Sequence, residues 1–515
     1  MLAINVPADG LFLAVQNKAA GDYSKENCER IIHAYIGKML EAKPDVILLN
    51  ACYRRALTPS EVFDSYLYDV ETDSDGYACR DAEGKSIKTL SPVSDNVSKY
   101  FASFFKCARV LLSRGIDIYQ MAIDRIRESD TQVYLSLRMN DGHYTGNAAV
   151  NSSFAVKDGG KHTVEHDGVN LDFSQSVVQN YFLAYITELL ENYDIDGIEL
   201  DWLRFPGILP QQKRADRSII RDYMQRVRRL MDAYNERLCL AVRVLPTEEE
   251  NLAEGLDVCG WIANGCADML TVENFYVPTN YELPIARWRE AIAKRNRENK
   301  PYLLYCGSDW AVACTPRYSV AMSPALVRGF ADTCLAEGAD GVYLFNFFEE
   351  DDTSSFELVE DASGAHLENC FVTRMIAARH PEALPRRYVH IGNDTKRYPI
   401  ALGQGESYAF SQTKKNLSDR VRLVIGTDTD APLRITVGDA APMAEERIQA
   451  PEGFAYIPRE EIGKQGEFIY AVTQAAPVVR SVTLSADAVK ENAVIEIRNM
   501  HAEDVKILWL ETVCE

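Results

Sequence analysis

Short apolar runs recur along the first three-quarters of the chain, and between them apolar residues fall three and four positions apart. The first pattern is expected of fully buried strands and the second of amphipathic helices. The runs predict strands at Leu11–Val15, Val46–Cys52, Gln132–Asn140, Ile195–Asp201, Leu238–Leu245, Asp268–Phe275, Tyr302–Gly307 and Gly341–Phe347. Helices are predicted between them, among them Cys28–Glu41, Lys99–Ser113, Ser176–Tyr193, Ala215–Glu236, Ile285–Asn296 and Pro324–Glu337. Strands and helices alternating in this number predict a (β/α)8 TIM barrel. An open doubly wound sheet usually carries a Gly-rich phosphate turn, and the chain contains no G-x-G-x-x-G or P-loop sequence.

The pattern changes around Ala377–Arg387. Beyond it no long helical pattern appears, and Arg420–Ile425, Leu433–Val437, Phe468–Val472, Ser481–Leu484, Ala493–Ile497 and Val505–Leu510 read as short strands. Their spacing and turn residues predict a C-terminal all-β sandwich, jelly-roll-like, over residues 385–515, after a barrel domain over residues 1–384. No dense run of aromatic residues marks this segment, which favours a stability or oligomerisation role over carbohydrate binding.

Composition narrows the partners. The 515-residue chain is 47% hydrophobic and 25% charged, as a globular protein of two or three domains should be. Its formal net charge of −21 argues against nucleic acid or an anionic membrane as the main partner. The twelve cysteines include no Cys-x-x-Cys pair, and Cys107, Cys239, Cys306 and Cys334 sit in apolar segments, as reduced thiols in a reducing compartment do. No apolar run of about twenty residues predicts a membrane span. The amino terminus has no basic region followed by an apolar core, so a cytoplasmic location is expected. A homo-oligomer is compatible with the sequence.

The richest stretch is Tyr193–Pro206. Alternate strand residues share a face, so Gly197, Glu199 and Asp201 project together. Buried carboxylates are costly unless paired or protonated, and such acids favour functional sites. A barrel places its site at the strands' carboxyl ends. There the sequence supplies Asn50 and Tyr53-Arg54-Arg55; Ser136, Arg138, Asn140, Asp141 and His143; Glu199, Asp201, Trp202 and Arg204; Arg243; Thr271, Glu273 and Tyr276; Asp309 and Trp310; and Asn346. Acids, arginines, amides and aromatic faces together suit a sugar, and glycoside hydrolysis needs two carboxyl groups, one of them protonated.

Glu199 and Asp201, two residues apart, should crowd within about 6–7 Å, which raises one pKa and leaves the other group ionised. Asp201, nearer the mouth, is then the expected acid and Glu199 its orienting partner; Arg204 paired to Asp201 would hold it ionised and reverse the two. Glu273 is the expected second carboxylate, as base or nucleophile. Arg138, Asn140, Asp141, His143, Trp202, Arg204, Arg243, Tyr276, Asp309, Trp310 and Asn346 are the expected sugar contacts. Only eight histidines occur and no His-x-His or His-Glu-x-x-His spacing accompanies the acids, so neither a metal nor a cofactor is expected.

Leu135–His143, Tyr193–Pro206 and Gly341–Asn346 resemble the sequence blocks of family 10-like bacterial glycosyl hydrolases. The resemblance covers roughly the first 380 residues and implies a TIM barrel and a carbohydrate substrate. Asp196–Leu203 also resembles the fourth-strand motif of glycoside hydrolase family 18, Asp-Gly-x-Asp-x-Asp-Trp-Glu. Leu203 stands where that motif has its catalytic glutamate, and a leucine donates no proton. Two alternatives stay open: a carbohydrate-binding pseudoenzyme, and a lyase or metal-assisted barrel enzyme.

Overall fold

The structure is a computed structural model. It describes residues 1–7, 9–65, 104, 107–108, 110–111, 113–142, 154, 164–275, 279–309, 311–313, 318–346, 371–382, 386–390, 399–412, 420–438, 440–448, 456–458, 478–485, 487–489 and 493–514. The expected strand Phe468–Val472 and most of the expected helix Lys99–Ser113 lie outside the described residues.

Eight strands close a barrel: β1 (Leu2–Val6), β2 (Val46–Cys52), β3 (Gln132–Arg138), β4 (Gly197–Asp201), β5 (Cys239–Val244), β6 (Met269–Val272), β7 (Leu303–Ser308) and β10 (Gly341–Leu344). β1 through β6 run parallel to their neighbours. Helices connect them, among them α1 (Gly10–Lys18), α2 (Lys25–Glu41), α3 (Ile118–Arg127), α4 (Ser176–Asn192), α5 (Ser218–Tyr234), α6 (Glu248–Ala253), α7 (Val258–Ala263), α8 (Ile285–Arg295) and α9 (Pro324–Ala336). The helix ends follow local chemistry. The Ser24 hydroxyl accepts from the Asn27 N–H at 3.3 Å at the start of α2, and Thr247 with Glu250 forms a reciprocal cap on α6.

The first expected strand is corrected. Leu11–Val15 lies in α1, and the strand is Leu2–Val6, whose five side chains are all buried and which registers Ala3 with Val46 and Val6 with Leu49. A run of five apolar residues suits a buried strand and a buried helix equally, so periodicity alone does not separate the two.

Inside the barrel the floor is filled by side chains. Tyr134 registers with Gly197 on β4, and a Cβ at Gly197 would fall 2.6 Å from the Cys239 carbonyl oxygen and 3.0 Å from the Tyr134 ring. Only a glycine leaves that space to the ring. On the outer layer α4 turns Val178, Phe182, Ile186 and Leu189 inward, as its spacing predicts.

Contact density divides the chain into two compact units. The first is Met1–Phe275 with Ala286–Tyr305 and Phe345–Glu349; the second is Tyr276–Ile285, Cys306–Leu344 and Glu350–Glu515. In the second unit, antiparallel sheets follow α10 (Phe371–Arg379). One has the order β11 (Arg386–Val389), β20 (Val505–Cys514), β14 (Arg420–Thr427), β18 (Val478–Ser485), β16 (Ala444–Ile448), with β12 (Ile400–Leu402) also on β20. Another has the order β13 (Ser407–Gln412), β19 (Ala493–Asn499), β15 (Leu433–Val437). β19 buries Ile495 and Ile497 and turns Glu496 and Arg498 outward, the alternation of a half-buried strand. A third small sheet joins β17 (Tyr456–Pro458) to β9 (Tyr318–Ala321) and β8 (Ala311–Ala313). Among the described residues no helix is long and apolar enough to cross a membrane.

Cys52 and Cys107 are buried, and burial pushes each thiol up to about 12. Both stay protonated at pH 8, and the thiolate is the reactive form. In native protein at pH 8, iodoacetamide should leave both unmodified, and unfolding in urea should expose both to alkylation, read by peptide mass mapping.

Candidate active site

Strand register builds the centre of the site. Arg138 on β3 pairs in register with Asp201 on β4, Asp201 with Arg243 on β5, and Arg243 with Thr271 on β6. Registered residues of parallel strands share a face, so these four form one row on the inner surface. One position deeper, Ser136 registers with Glu199, and its hydroxyl donates to Glu199 Oε1 at 2.7 Å across that inner face. Glu273 follows the end of β6.

The guanidinium of Arg243 joins two carboxylates. Nη1 donates to Asp201 Oδ2 at 2.9 Å and Nε to Glu273 Oε2 at 2.9 Å. Asp201 Oδ1 accepts from the backbone N–H groups of Leu203 and Arg204, each at 3.1 Å. The Phe345 ring lies 3.5 Å from the centre of the Arg243 guanidinium and covers one of its faces. All three charged side chains are almost wholly buried.

Asp201, expected as the acid from its place near the mouth, is held by Arg243 and by two backbone N–H groups. Arg243, rather than the expected Arg204, is the arginine that bonds Asp201. Arg204 instead turns its guanidinium toward Phe345, 5.6 Å from the ring centre.

Arg138 donates from Nη1 to Asp141 Oδ2 at 2.9 Å and lies 4.6 Å from the centre of the Tyr53 ring. Burial works against its charge, but Asp141, Tyr53 and Asp201 outweigh it and raise the guanidinium above its ordinary value. Beside it, Arg54 bonds Glu165 at 2.9 Å and the carbonyls of Asp141 and Val169, tying down the loop that follows β3. A small crevice opens here, lined in part by Tyr53, Phe63, Arg138, Asp141, Phe154 and Tyr181.

Two of the expected sugar contacts are engaged by other parts of the protein. Trp202 is 1% exposed and its ring lies among Phe173, Tyr223 and Trp261, at centroid distances of 5.2, 5.9 and 6.2 Å. Its neighbour Asp201 faces the barrel interior, while Trp202 belongs to the outer core. Asn140 has its amide fully engaged in loop ties: Nδ2 donates to Asn170 Oδ1 at 2.5 Å and to the Phe205 carbonyl at 2.8 Å, and Oδ1 accepts from the Leu171 N–H at 3.3 Å. His143, Tyr276 and Trp310 lie outside the described residues. Asp309 belongs to the second unit, where its carbonyl accepts from the Thr279 hydroxyl at 3.0 Å. Asn346 takes a positive φ of 46° directly after Phe345, and no bond to its Oδ1 is found among the described residues.

Phe205 also has a positive φ, 54°, which a bulky residue rarely adopts. Asn140 holds its carbonyl, and its ring meets Phe275 at 5.3 Å and lies over Gly142. A Cβ at Gly142 would come 2.5 Å from Phe205 Cδ1. Gly142→Ala should therefore cost about 1–3 kcal/mol as the ring is forced aside, read as a lower urea midpoint.

Three polar or aromatic features were not among the expected sugar contacts: Asn5 on β1, Tyr53 after β2, and the Phe345 ring on Arg243. Asn5 went unseen because its strand was misplaced, although a single polar residue inside the buried run Leu2–Val6 is a signal. Among the described residues no group of three or more His, Cys, Asp or Glu side chains is arranged to hold a metal ion.

No family model matches the chain, and no curated protein matches it. Several solved structures are similar at low identity. A cycloisomaltooligosaccharide glucanotransferase from Paenibacillus sp., complexed with cycloisomaltoheptaose, is 10% identical over 100% of this chain and 57% of its own, with a TM-score of 0.33. The α-L-fucosidase isoenzyme 2 of Paenibacillus thiaminolyticus is 12% identical over 74% of this chain and 48% of its own, with a TM-score of 0.37. The PgaB (BpsB) glycoside hydrolase domain of Bordetella bronchiseptica is 10% identical over 67% of this chain and 92% of its own, with a TM-score of 0.35. The chain thus spans about half the length of the first two.

Proposed function

We propose that the barrel hydrolyses glycosidic bonds, with Glu199 as the proton donor and Glu273 as base or nucleophile. The observation that carries this reading is the bridge Asp201–Arg243–Glu273 at the carboxyl ends of β4, β5 and β6, where barrel enzymes place their chemistry. Arg243 favours the ionised form of Glu273, which a base or nucleophile requires. Glu199 is bonded to the Ser136 hydroxyl, a neutral partner that can either donate or accept and so suits both protonation states of a carboxyl. Asp201, engaged on both oxygens, orients Arg243. Arg138 and Asp141 bond hydroxyls at the rim, and the half-buried Tyr53 offers the apolar surface once expected of Trp202. The separation of the Glu199 and Glu273 carboxyl groups in a substrate complex sets the stereochemistry: about 5–5.5 Å gives retention and about 6.5–9.5 Å inversion.

A non-catalytic carbohydrate-binding barrel is the second reading, favoured by Leu203. This residue is fully buried and stands where the family 18 motif has its glutamate. A panel of 4-nitrophenyl glycosides and plant or algal oligosaccharides separates the two, with release of product and binding measured side by side. Turnover of at least one glycoside, unaffected by a chelator, is the expected result. Binding without turnover supports the pseudoenzyme, and turnover abolished by chelator supports a metal-assisted enzyme.

A further inference from the structure

On the inner face of the barrel, Asn5 of β1 and Asn50 of β2 form a pair that the chemistry above does not use. Asn50 registers with Ser136, which bonds Glu199 across the lumen face, and Asn5 registers with Leu48, two residues before Asn50 on that same face. Asn5 is 0% exposed and Asn50 1%. Asn50 therefore stands in the inner wall beside Ser136, and Asn5 one inward-facing position deeper, level with Leu48 and Tyr134.

The orientation of both amides is fixed by what they touch. Asn50 Nδ2 lies 2.7 Å from the Val6 carbonyl oxygen, and a carbonyl only accepts, so that atom is the NH2. The same NH2 donates to the Asn5 side-chain oxygen at 2.9 Å, which turns the Asn5 NH2 away from Asn50. Flipping either amide would set two donors or two acceptors face to face. The pair thus presents one obligate acceptor, Asn50 Oδ1, and one obligate donor, Asn5 Nδ2. Neither has a hydrogen-bond partner among the described residues. Buried amide groups are normally satisfied, and groups left open on the wall of a functional barrel call for a ligand or a water.

We propose that Asn5 and Asn50 together read one neutral hydroxyl of the sugar bound in the barrel. A hydroxyl donates once and also accepts, so it satisfies both atoms at once. A carboxylate satisfies only Asn5 and repels Asn50 Oδ1, and an ammonium satisfies only Asn50. The pair therefore selects a neutral polyol face at this point in the site. The class of ligand rests on the glycoside reading above, whereas the test measures binding alone, so a failure of turnover leaves its result intact.

The test soaks crystals of the full chain with methyl glycosides of D-glucose, D-galactose, D-mannose and D-xylose, and measures each Kd calorimetrically. At least one glycoside should place a ring hydroxyl about 3 Å from both Asn50 Oδ1 and Asn5 Nδ2. The deoxy analogue lacking that hydroxyl should bind the unaltered protein at least tenfold more weakly. Asn5→Asp, which keeps the oxygen facing Asn50 and exchanges the donor for an acceptor, should lose a similar factor; the deoxy comparison carries the test if this variant does not fold. A water held by the pair in every crystal, no hydroxyl within reach of both atoms for any of the four, or a deoxy analogue of unchanged Kd overturns the proposal.

Discussion

Arg243→Met should lower the stability of the protein by about 3–5 kcal/mol, the cost of removing one partner from a buried ion-pair network. The guanidinium touches Asp201 and Glu273 at 2.9 Å each, and all three side chains are almost wholly buried. Methionine matches much of the volume and fills the space beneath Phe345, so the loss reports charge rather than a cavity. Two carboxylates then face a low-dielectric interior without the cation that joined them. Arg243→Lys should recover only part of the loss, because an ammonium is a point charge and cannot span two carboxylates as the planar guanidinium does. Urea unfolding followed by fluorescence reads the effect as a shift in midpoint at unchanged slope. A loss below about 1 kcal/mol for Arg243→Met would mean that the network contributes little to holding β4, β5 and β6 in place.

Glu273→Gln should reduce turnover of any glycoside the protein hydrolyses by about a thousandfold or more while leaving Kd within a fewfold. The carboxamide oxygen can still accept from Arg243 Nε, so the bridge of 2.9 Å survives and the fold is not the cause. What disappears is the negative charge that takes up a proton from water or attacks the anomeric carbon. Glu199→Gln should be comparably damaging on substrates with poor leaving groups and milder on 4-nitrophenyl glycosides, whose leaving group needs little protonation. That contrast assigns the acid. Equal losses on both kinds of substrate would remove Glu199 from that role. Near-normal turnover in Glu273→Gln would move the second carboxylate to Asp141, which lies three residues past the end of β3 and accepts from Arg138.

Most of the barrel was legible because its strands are buried on both faces and therefore read as continuous apolar runs bounded by polar turns. β1 was the exception. Leu2–Val6 and Leu11–Val15 are equally apolar, and only pairing with β2 distinguishes the strand from the helix. The carboxylates Glu199, Asp201 and Glu273 were legible individually, from alternation within strands and from their place at strand ends. Their relation was not. That Arg243 lies between Asp201 and Glu273 depends on the register of three strands whose connections span tens of residues. Trp202 shows the same limit from the other side. Beside two acids it reads as a sugar platform, yet its partners Phe173, Tyr223 and Trp261 are brought to it only by the packing of distant segments. Asn140 likewise looks like a hydroxyl contact until Asn170 and Phe205 arrive to occupy its amide.

In the proposed mechanism a glycosidic bond lies between Glu199 and Glu273, with Asp201 and Arg243 in support. A crystal structure of the Glu273→Gln variant with an intact glycoside chosen from the panel tests it most directly. The anomeric carbon should face the residue 273 carboxamide, with the glycosidic oxygen within hydrogen-bond reach of Glu199 and Arg243 still bonded to Asp201. A glycoside seated elsewhere, or one flanked by carboxyl groups that include neither residue 199 nor residue 273, would contradict it.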